Sequence, residues 1–260
     1  MNLGLQGKTA IVTGGSKGIG FATAMALAAE GANVALVARG LEALQKAAEQ
    51  IAAQTGQEPL VIAADVSEEQ DVRMAVEKTV ERFGSVDILV NNAGTSAARP
   101  FEEVSQDMWE ADLDLKLFGA VHFSRAAVPY MRQNGGGAIL NVTAVGGKTP
   151  SASSMPTSVS RAAGLALTKA MSKDLAPDNI RVNAVCIGLI RSDQIERFWQ
   201  ASAPELTWDE FAKDPRHAIP LGRIGQTEEA AKVITFLVSG AASYVTGTSV
   251  NIDGGKAAVL

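Results

Sequence analysis

The sequence has few of the residues on which several classes of protein depend. Its 260 residues include one cysteine, Cys186, which excludes a disulfide within the chain and favours the cytoplasm. The net charge of −5 leaves no basic surface for nucleic acid. Every apolar run is too short for a membrane-spanning helix. No His, Cys, Asp or Glu cluster has the spacing of metal ligands, so we expect no metal site.

Apolar segments rich in β-branched residues alternate with segments of helical period, which is the pattern of βαβ units. We predict an α/β fold: a single doubly wound parallel sheet of about seven strands, a Rossmann fold, with helices on both faces. Residues 1–260 are expected to form one domain. The predicted strands are Thr9–Val12, Val34–Val37, Pro59–Ala63, Ile88–Val90, Ile139–Val142, Arg181–Val185 and Ser249–Ile252. The predicted helices are Gly18–Glu30, Leu41–Gln54, Glu68–Phe83, Gln106–Gln133, Pro156–Leu175 and Glu228–Val238.

One stretch breaks this alternation. Residues 191–225, between the sixth strand and the last helix, contain three prolines and four large aromatic residues. Long irregular insertions at the carboxyl end of a strand border the ligand crevice in this architecture. We interpret 191–225 as a lid over the substrate site, with a packed surface excursion as the alternative.

A glycine-rich segment, Thr13-Gly14-Gly15-Ser16-Lys17-Gly18-Ile19-Gly20, joins the first predicted strand to the first helix. Gly14 permits a tight turn, Gly18 lets the backbone approach a pyrophosphate, and Gly20 allows the helix to pack closely on the strand. The helix N-terminus attracts the anion. Its Gly-x-x-x-Gly-x-Gly spacing differs from the general dinucleotide fingerprint, and an ordinary strand-to-helix turn is the alternative.

Four segments in order resemble the short-chain dehydrogenases/reductases: the glycine-rich segment, Asp65-Val66, Asn91-Asn92-Ala93-Gly94 and Ile252-Asp253-Gly254-Gly255. The resemblance covers nearly the whole chain and implies an oxidoreductase with a dinucleotide cofactor and a small-molecule substrate. It also implies that Asp65 and Val66 border the adenine and that Asn92, Ala93 and Gly94 border the ribose.

Charge favours NADP(H) over NAD(H). A carboxylate about 20 residues beyond the glycine loop would bind a free ribose 2′-hydroxyl. Ala38 and Arg39 stand there instead. Arg39 offers a planar pair of donors for a 2′-phosphate and Lys17 adds a second cation, although both could be solvated surface residues. The complete predicted cofactor site is Gly14, Ser16, Lys17, Gly18, Ile19, Gly20, Arg39, Asp65, Val66, Asn92, Ala93, Gly94, Arg161, Gly188 and Ser192.

The catalytic group that the resemblance implies is missing. In the family, a Tyr-x-x-x-Lys pair on one helix works with an earlier Ser and with an Asn on the central helix. The only tyrosines, Tyr130 and Tyr244, are followed at that spacing by Asn134 and Thr248. When the motif is placed by its flanking segments 139–144 and 161–164, the Ser, Tyr, Lys and Asn positions hold Ala144, Thr157, Arg161 and Lys116.

Polar and cationic residues stand around these positions. The candidate catalytic residues are Lys116, Thr143, Lys148, Thr157 and Arg161, and we expect the three cations to face one pocket. Cations so placed can stabilise an oxyanion or enolate, and a lysine beside other cations can exchange a proton near neutral pH. For Lys116 and Lys148, the alternative is an outward, solvated side chain.

Three functions remain open at this point. The first is an NADP(H)-dependent oxidoreductase that acts on a carbonyl or hydroxyl substrate with a non-standard proton donor. The second is a catalytically silent NADP(H)-binding subunit or sensor. The third is a non-redox lyase or isomerase that uses the cationic pocket. The resemblance also implies a homo-oligomer, either a dimer or a tetramer, formed through the two long central helices and the last strand.

Overall fold

The chain folds around one parallel sheet, as seen in a computed structural model that describes residues 2–260. Its seven strands lie in the order β3-β2-β1-β4-β5-β6-β7. They are β1 (Thr9–Thr13), β2 (Asn33–Ala38), β3 (Leu60–Ala63), β4 (Ile88–Asn91), β5 (Gly137–Ala144), β6 (Ile180–Ile187) and β7 (Ser249–Ile252). The predicted α/β fold with a doubly wound sheet is confirmed.

Helices cover both faces of the sheet, which explains why most of the strands are largely apolar. One face packs against α1 (Gly18–Ala29), α2 (Leu41–Thr55) and α9 (Thr227–Val238). The other packs against α3 (Glu69–Phe83), α5 (Gly119–Gln133) and α6 (Thr157–Asp174). All five residues of β1 are buried. Within residues 2–260, no helix combines the length and the apolar character that crossing a bilayer requires.

The prediction of one continuous helix over Gln106–Gln133 is wrong. The structure divides it into α4 (Gln106–Leu113), a π-turn (Asp114–Phe118) and α5. A π-turn inserts one extra residue and is frequent at functional sites. One inserted residue does not change the apolar periodicity of the sequence enough to be recognised there. The turn carries Lys116, whose side chain is only 1% exposed.

Residues 191–225 are more regular than the sequence predicts. They contain α7 (Asp193–Ser202) and α8 (Trp208–Ala212), which enclose a small core of Ala203, Phe211, Ala212 and Ile224. The aromatic residues supply this core, and the rings of Trp199 and Trp208 pack edge to face with centroids 5.6 Å apart. A capping box between Thr207 and Glu210 begins α8.

Candidate active site

A cleft opens at the carboxyl edge of the sheet, where β1 lies beside β4 and the strand order reverses. Ligands of open α/β sheets bind at this switch point. The cleft has a volume of about 700 Å³ and is bordered by the glycine-rich loop, the ends of β2 to β6 and the first turn of α7. It is large enough for an extended ligand together with a small substrate.

Three glycines shape the loop between β1 and α1. Gly14 has a φ of +65°, and a Cβ there would lie 2.8 Å from Asn92 Nδ2. A Cβ at Gly20 would collide with the carbonyl oxygen of Gly14, whereas Gly18, with a φ of +59°, borders open space. No side chain caps the N-terminus of α1, so its free N–H groups are available at the cleft. This arrangement fits a pyrophosphate.

The end of β4 is tied to the same loop. The backbone N–H groups of Asn92 and Ala93 donate to Thr13 Oγ1 at 2.9 and 3.0 Å. The Asn92 side chain donates to the carbonyl oxygen of Thr13 at 2.9 Å. Asn92 therefore braces the loop, and Gly94 passes directly over Arg161, where a Cβ would lie 2.7 Å from Arg161 Nη2.

Two cations border the cleft near the ends of β1 and β2. Arg39 is 78% exposed, and its Nη1 lies 3.8 Å from Asp65 Oδ2. An exposed pair at that distance contributes little, so the guanidinium remains available to an anionic ligand. Lys17 forms an ion pair with Asp193 in the first turn of α7, a partner that the sequence did not predict.

The predicted cofactor residues meet at this cleft, with one exception. Gly20 lies beneath the loop, against Gly14, rather than on the cleft wall. The residues on the wall are Gly14, Ser16, Lys17, Gly18, Ile19, Arg39, Asp65, Val66, Asn92, Ala93, Gly94, Arg161, Gly188 and Ser192. Within residues 2–260, no three potential metal-ligating side chains come together.

Lys116 lies behind the cleft wall and reaches the cleft through Thr157. Its ammonium pairs with Asp112 and donates to Thr157 Oγ1 at 3.0 Å. Thr157, at the first position of α6, lines the cleft. Burial lowers the pKa of Lys116 from 10.5 to about 8, although the hydrogen bond to Asp112 opposes this shift. The structure thus contains a buried lysine whose pKa lies close to neutral pH, and the Thr157 hydroxyl stands between its ammonium and the cleft.

Arg161 and Thr143 also line the cleft, but their polar atoms are partly committed to the protein. Arg161 Nη1 donates to the carbonyl oxygen of Val142 at 2.6 Å, and its Nε has no protein partner within residues 2–260. Burial lowers the pKa of Arg161 from its usual value. Thr143 Oγ1 donates to the carbonyl oxygen of Val185 at 2.9 Å, so this hydroxyl holds β5 to β6.

Lys148 does not join the other two cations, which corrects the expectation of three cations in one pocket. Its ammonium donates to Asn251 Oδ1 at 2.7 Å and to the carbonyl oxygen of Ser249 at 3.2 Å, both on β7. The turn over Val145–Gly147 that follows β5 directs Lys148 toward the sheet edge. Lys148 is therefore a structural tie to β7 and not part of the site.

Two residues of the site were missed by the sequence analysis. Asp112 pairs with Lys116 through Oδ1, and its Oδ2 accepts a hydrogen bond from Ser160 Oγ at 2.6 Å. The spacing of Asp112 and Lys116, four residues apart on a helical segment, was a usable signal, because such positions face each other. Ser160 carried no comparable signal, since the contact joins α6 to α4.

Comparisons with known proteins agree with this geometry. Residues 14–257 match the family model described as "Enoyl-(Acyl carrier protein) reductase". The chain is 36% identical to a 3-oxoacyl-[acyl-carrier-protein] reductase FabG of Thermotoga maritima, over 96% of this chain and 98% of that protein.

Two solved structures are similar over the whole chain. An L-sorbose reductase from Gluconobacter frateurii, complexed with NADPH and L-sorbose, is 33% identical with a TM-score of 0.94 and full coverage of both chains (100% each). A short chain oxidoreductase from Pseudomonas aeruginosa PAO1, described as containing an atypical catalytic center, is 35% identical with a TM-score of 0.95, over 99% of this chain and 100% of that one.

Proposed function

The chain belongs to the short-chain dehydrogenase/reductase family of oxidoreductases, and from that premise we propose that it reduces a small carbonyl substrate with NADPH, using Lys116 and Thr157 in place of the usual tyrosine. The reverse reaction oxidises the corresponding alcohol with NADP⁺. One observation carries the proposal: the 3.0 Å hydrogen bond from the buried Lys116 ammonium to a hydroxyl that lines the cleft.

The cofactor residues fit NADP(H). The open position at Gly18 and the uncapped start of α1 suit the pyrophosphate. Arg39 and Lys17 suit the 2′-phosphate, and no carboxylate takes the position after β2 that would bind a free 2′-hydroxyl. Bound NADPH supplies the hydride.

Thr157 delivers the proton to the substrate. Its Oγ1 accepts hydrogen bonds from the backbone N–H of Ala97 at 2.9 Å and from Lys116 Nζ at 3.0 Å. A hydroxyl has two acceptor lone pairs and one donor, so the remaining O–H can donate to a substrate oxygen in the cleft. As that proton leaves, the Lys116 ammonium replaces it. The net proton therefore comes from Lys116, whose pKa of about 8 suits a general acid near neutral pH.

Arg161 contributes charge rather than a proton. A guanidinium is too weak an acid to give up a proton near neutral pH. It lies under Gly94 at the cleft wall, where its positive charge favours the negative charge that develops on the carbonyl oxygen during hydride transfer. Arg161 would also hold the nicotinamide ribose, the role that the family gives to the lysine at this position.

Residues 191–225 serve as the lid in this proposal. The first turn of α7 reaches the opposite wall of the cleft, where Gln194 Nε2 donates to Thr95 Oγ1 at 2.5 Å and Asp193 pairs with Lys17.

A homo-oligomer is also proposed, because two large apolar residues are exposed on neighbouring elements. Phe118, in the π-turn, leaves 45% of its surface exposed, and Val159, on α6, leaves 44%. The single cysteine is free and buried, which fits the cytoplasm.

Replacing the Thr157 hydroxyl tests the relay. Thr157→Val keeps the shape of the side chain and removes the hydroxyl, so reduction should fall by about 10²-fold or more. Thr157→Ser keeps the hydroxyl and should retain most of the rate. NADPH oxidation against a panel of ketones and aldehydes gives kcat/KM, and NADPH fluorescence verifies that binding persists. Equal rates in the valine and serine variants would refute the relay. Binding without oxidation by any carbonyl, even in the wild-type chain, would favour the silent subunit.

Cofactor choice is tested at Arg39. Arg39→Ala should weaken NADPH binding by about 10–100-fold, the worth of a hydrogen bond to a charged group, and leave NADH binding unchanged. Isothermal titration with both cofactors measures the difference. The matched control is Arg73→Ala, which removes an exposed arginine paired with Glu69 on α3. Equal losses for NADPH and NADH would contradict the role of Arg39.

A further inference from the structure

We propose that Asp112, held in place by Ser160, is a positioning residue that keeps the Lys116 ammonium protonated and directed at Thr157. This inference rests on the proposed function. It adds an anionic group behind the proton donor, and it assigns the serine next to Arg161 a part in the same network.

The geometry of Asp112 fits this role. Its side chain is 2% exposed, and both carboxylate oxygens are occupied, Oδ1 by Lys116 and Oδ2 by Ser160 at 2.6 Å. Asp112 lies near the C-terminus of α4, Lys116 lies in the π-turn, and Ser160 lies on α6. The carboxylate therefore joins three elements at the point where the lysine must be aimed.

Asp112 is needed because a lysine side chain alone is poorly directed. Its ammonium ends a flexible four-carbon stem with three equivalent donors. In this site one donor is taken by Asp112, and another reaches Thr157 Oγ1 at 3.0 Å. Fixing the first donor fixes the direction of the second, so the proton is presented to the hydroxyl that faces the cleft.

The charges around Lys116 also require a carboxylate. The charged groups that face the ammonium are Asp112 from α4 and Arg161 from α6. Burial and the Arg161 charge both lower the pKa of Lys116, and Asp112 opposes them, so that the pKa remains at about 8. Without the carboxylate, two buried cations would face each other, and the lysine would lose its proton at a lower pH.

Asp112→Asn is the decisive substitution, because it keeps the size and an acceptor oxygen but removes the charge. Reduction needs protonated Lys116, so kcat/KM falls as pH rises through the pKa of Lys116. With the carboxylate gone that pKa drops, and the midpoint of this alkaline limb should move down by about one to two pH units. Asp112→Glu retains the charge and should move the midpoint less. NADPH affinity, measured by fluorescence, should not change.

A direct titration separates this proposal from the catalytic one. The lysines are labelled with ¹³C and observed by NMR. The Lys116 signal is the one missing from the double variant Lys116→Met, Asp112→Asn, and its pKa is measured from the pH dependence of that signal, without any turnover. A lower Lys116 pKa in Asp112→Asn supports the role of Asp112 even if no carbonyl is reduced, which would count against the proposed function alone. An unchanged Lys116 pKa overturns the positioning role.

Ser160→Ala gives a second route if the asparagine variant folds poorly. It leaves both charges in place and removes the hydroxyl, which donates to Asp112 Oδ2 and also lies 3.0 Å from the carbonyl oxygen of Thr157. We expect a smaller shift of the Lys116 pKa in the same direction and a lower kcat at an unchanged KM. A variant with the wild-type pH profile and the wild-type kcat would overturn the part assigned to Ser160.

Discussion

Replacing Lys116 by methionine, in a chain that already carries Asp112→Asn, is expected to lower NADPH-dependent reduction by about 10²–10⁴-fold, the usual contribution of general acid catalysis. The reference is Asp112→Asn alone, because Lys116→Met alone would leave a buried, unpaired carboxylate. Methionine matches the length of the lysine stem and cannot supply a proton. The rate is measured at about pH 5, because Asp112→Asn is expected to lower the Lys116 pKa from about 8 by about one to two units, and the lysine of the reference chain must be protonated.

Lys148→Met is the matched control for this experiment. Lys148 was an equal candidate from the sequence, but its ammonium is bound to Asn251 and Ser249 on β7. Its replacement should leave the reduction rate and NADPH binding unchanged. If both methionine variants reduced the carbonyl as fast as their references, the proton would come from neither Lys116 nor Lys148, and the relay through Thr157 would be refuted.

The fold could be predicted from the sequence because it follows from local patterns, and the proposed cofactor site rests on patterns of the same kind. Strands that are mostly apolar along their length indicate a sheet covered on both faces, and the glycine spacing after β1 places a tight turn at the start of α1. Arg39 is found by counting residues from that loop. Each of these signals depends on short stretches of chain, and the structure places the predicted residues around one cleft.

The residues of the proposed proton relay could be identified from the sequence only in part. The sequence identified Lys116, Thr157 and Arg161 by their positions in the family motif, but it could not distinguish Lys116 from Lys148. The distinction depends on the π-turn, which inserts one residue into the helix, and on the turn after β5. Neither feature can be recognised from the apolar periodicity of the sequence. Ser160 was missed because its partner, Asp112, is 48 residues away on another helix.

The proposed relay replaces one acid by two linked groups. A tyrosine beside a lysine holds its acidic proton on the atom that meets the substrate. In the proposed relay the group that would meet the substrate, Thr157, is a very weak acid, and the group with the useful pKa, Lys116, is buried behind it. A charged acid in the interior requires a counter-ion, and in this chain the buried Asp112 carboxylate supplies it.

That counter-ion predicts a large effect on stability. Lys116→Met alone should lower the free energy of unfolding by about 3–5 kcal/mol, because it leaves the Asp112 carboxylate buried and unpaired. Adding Asp112→Asn removes the orphan charge and keeps an acceptor for Ser160, so the double variant should recover most of that loss. Urea unfolding followed by circular dichroism measures the wild-type chain, both single variants and the double variant.

The exposed pair of Glu42 and Lys46 is the matched control for these stability measurements. It has the same spacing of four residues on a helix, but the two side chains are 82% and 68% exposed. Lys46→Met should produce no resolvable change, since water solvates the carboxylate that remains. Equal effects at Lys46 and Lys116 would mean that the Asp112 carboxylate is solvated or protonated in the folded chain. In that case it could not hold Lys116 in its charged form, and the acid at the end of the relay would have to be another group.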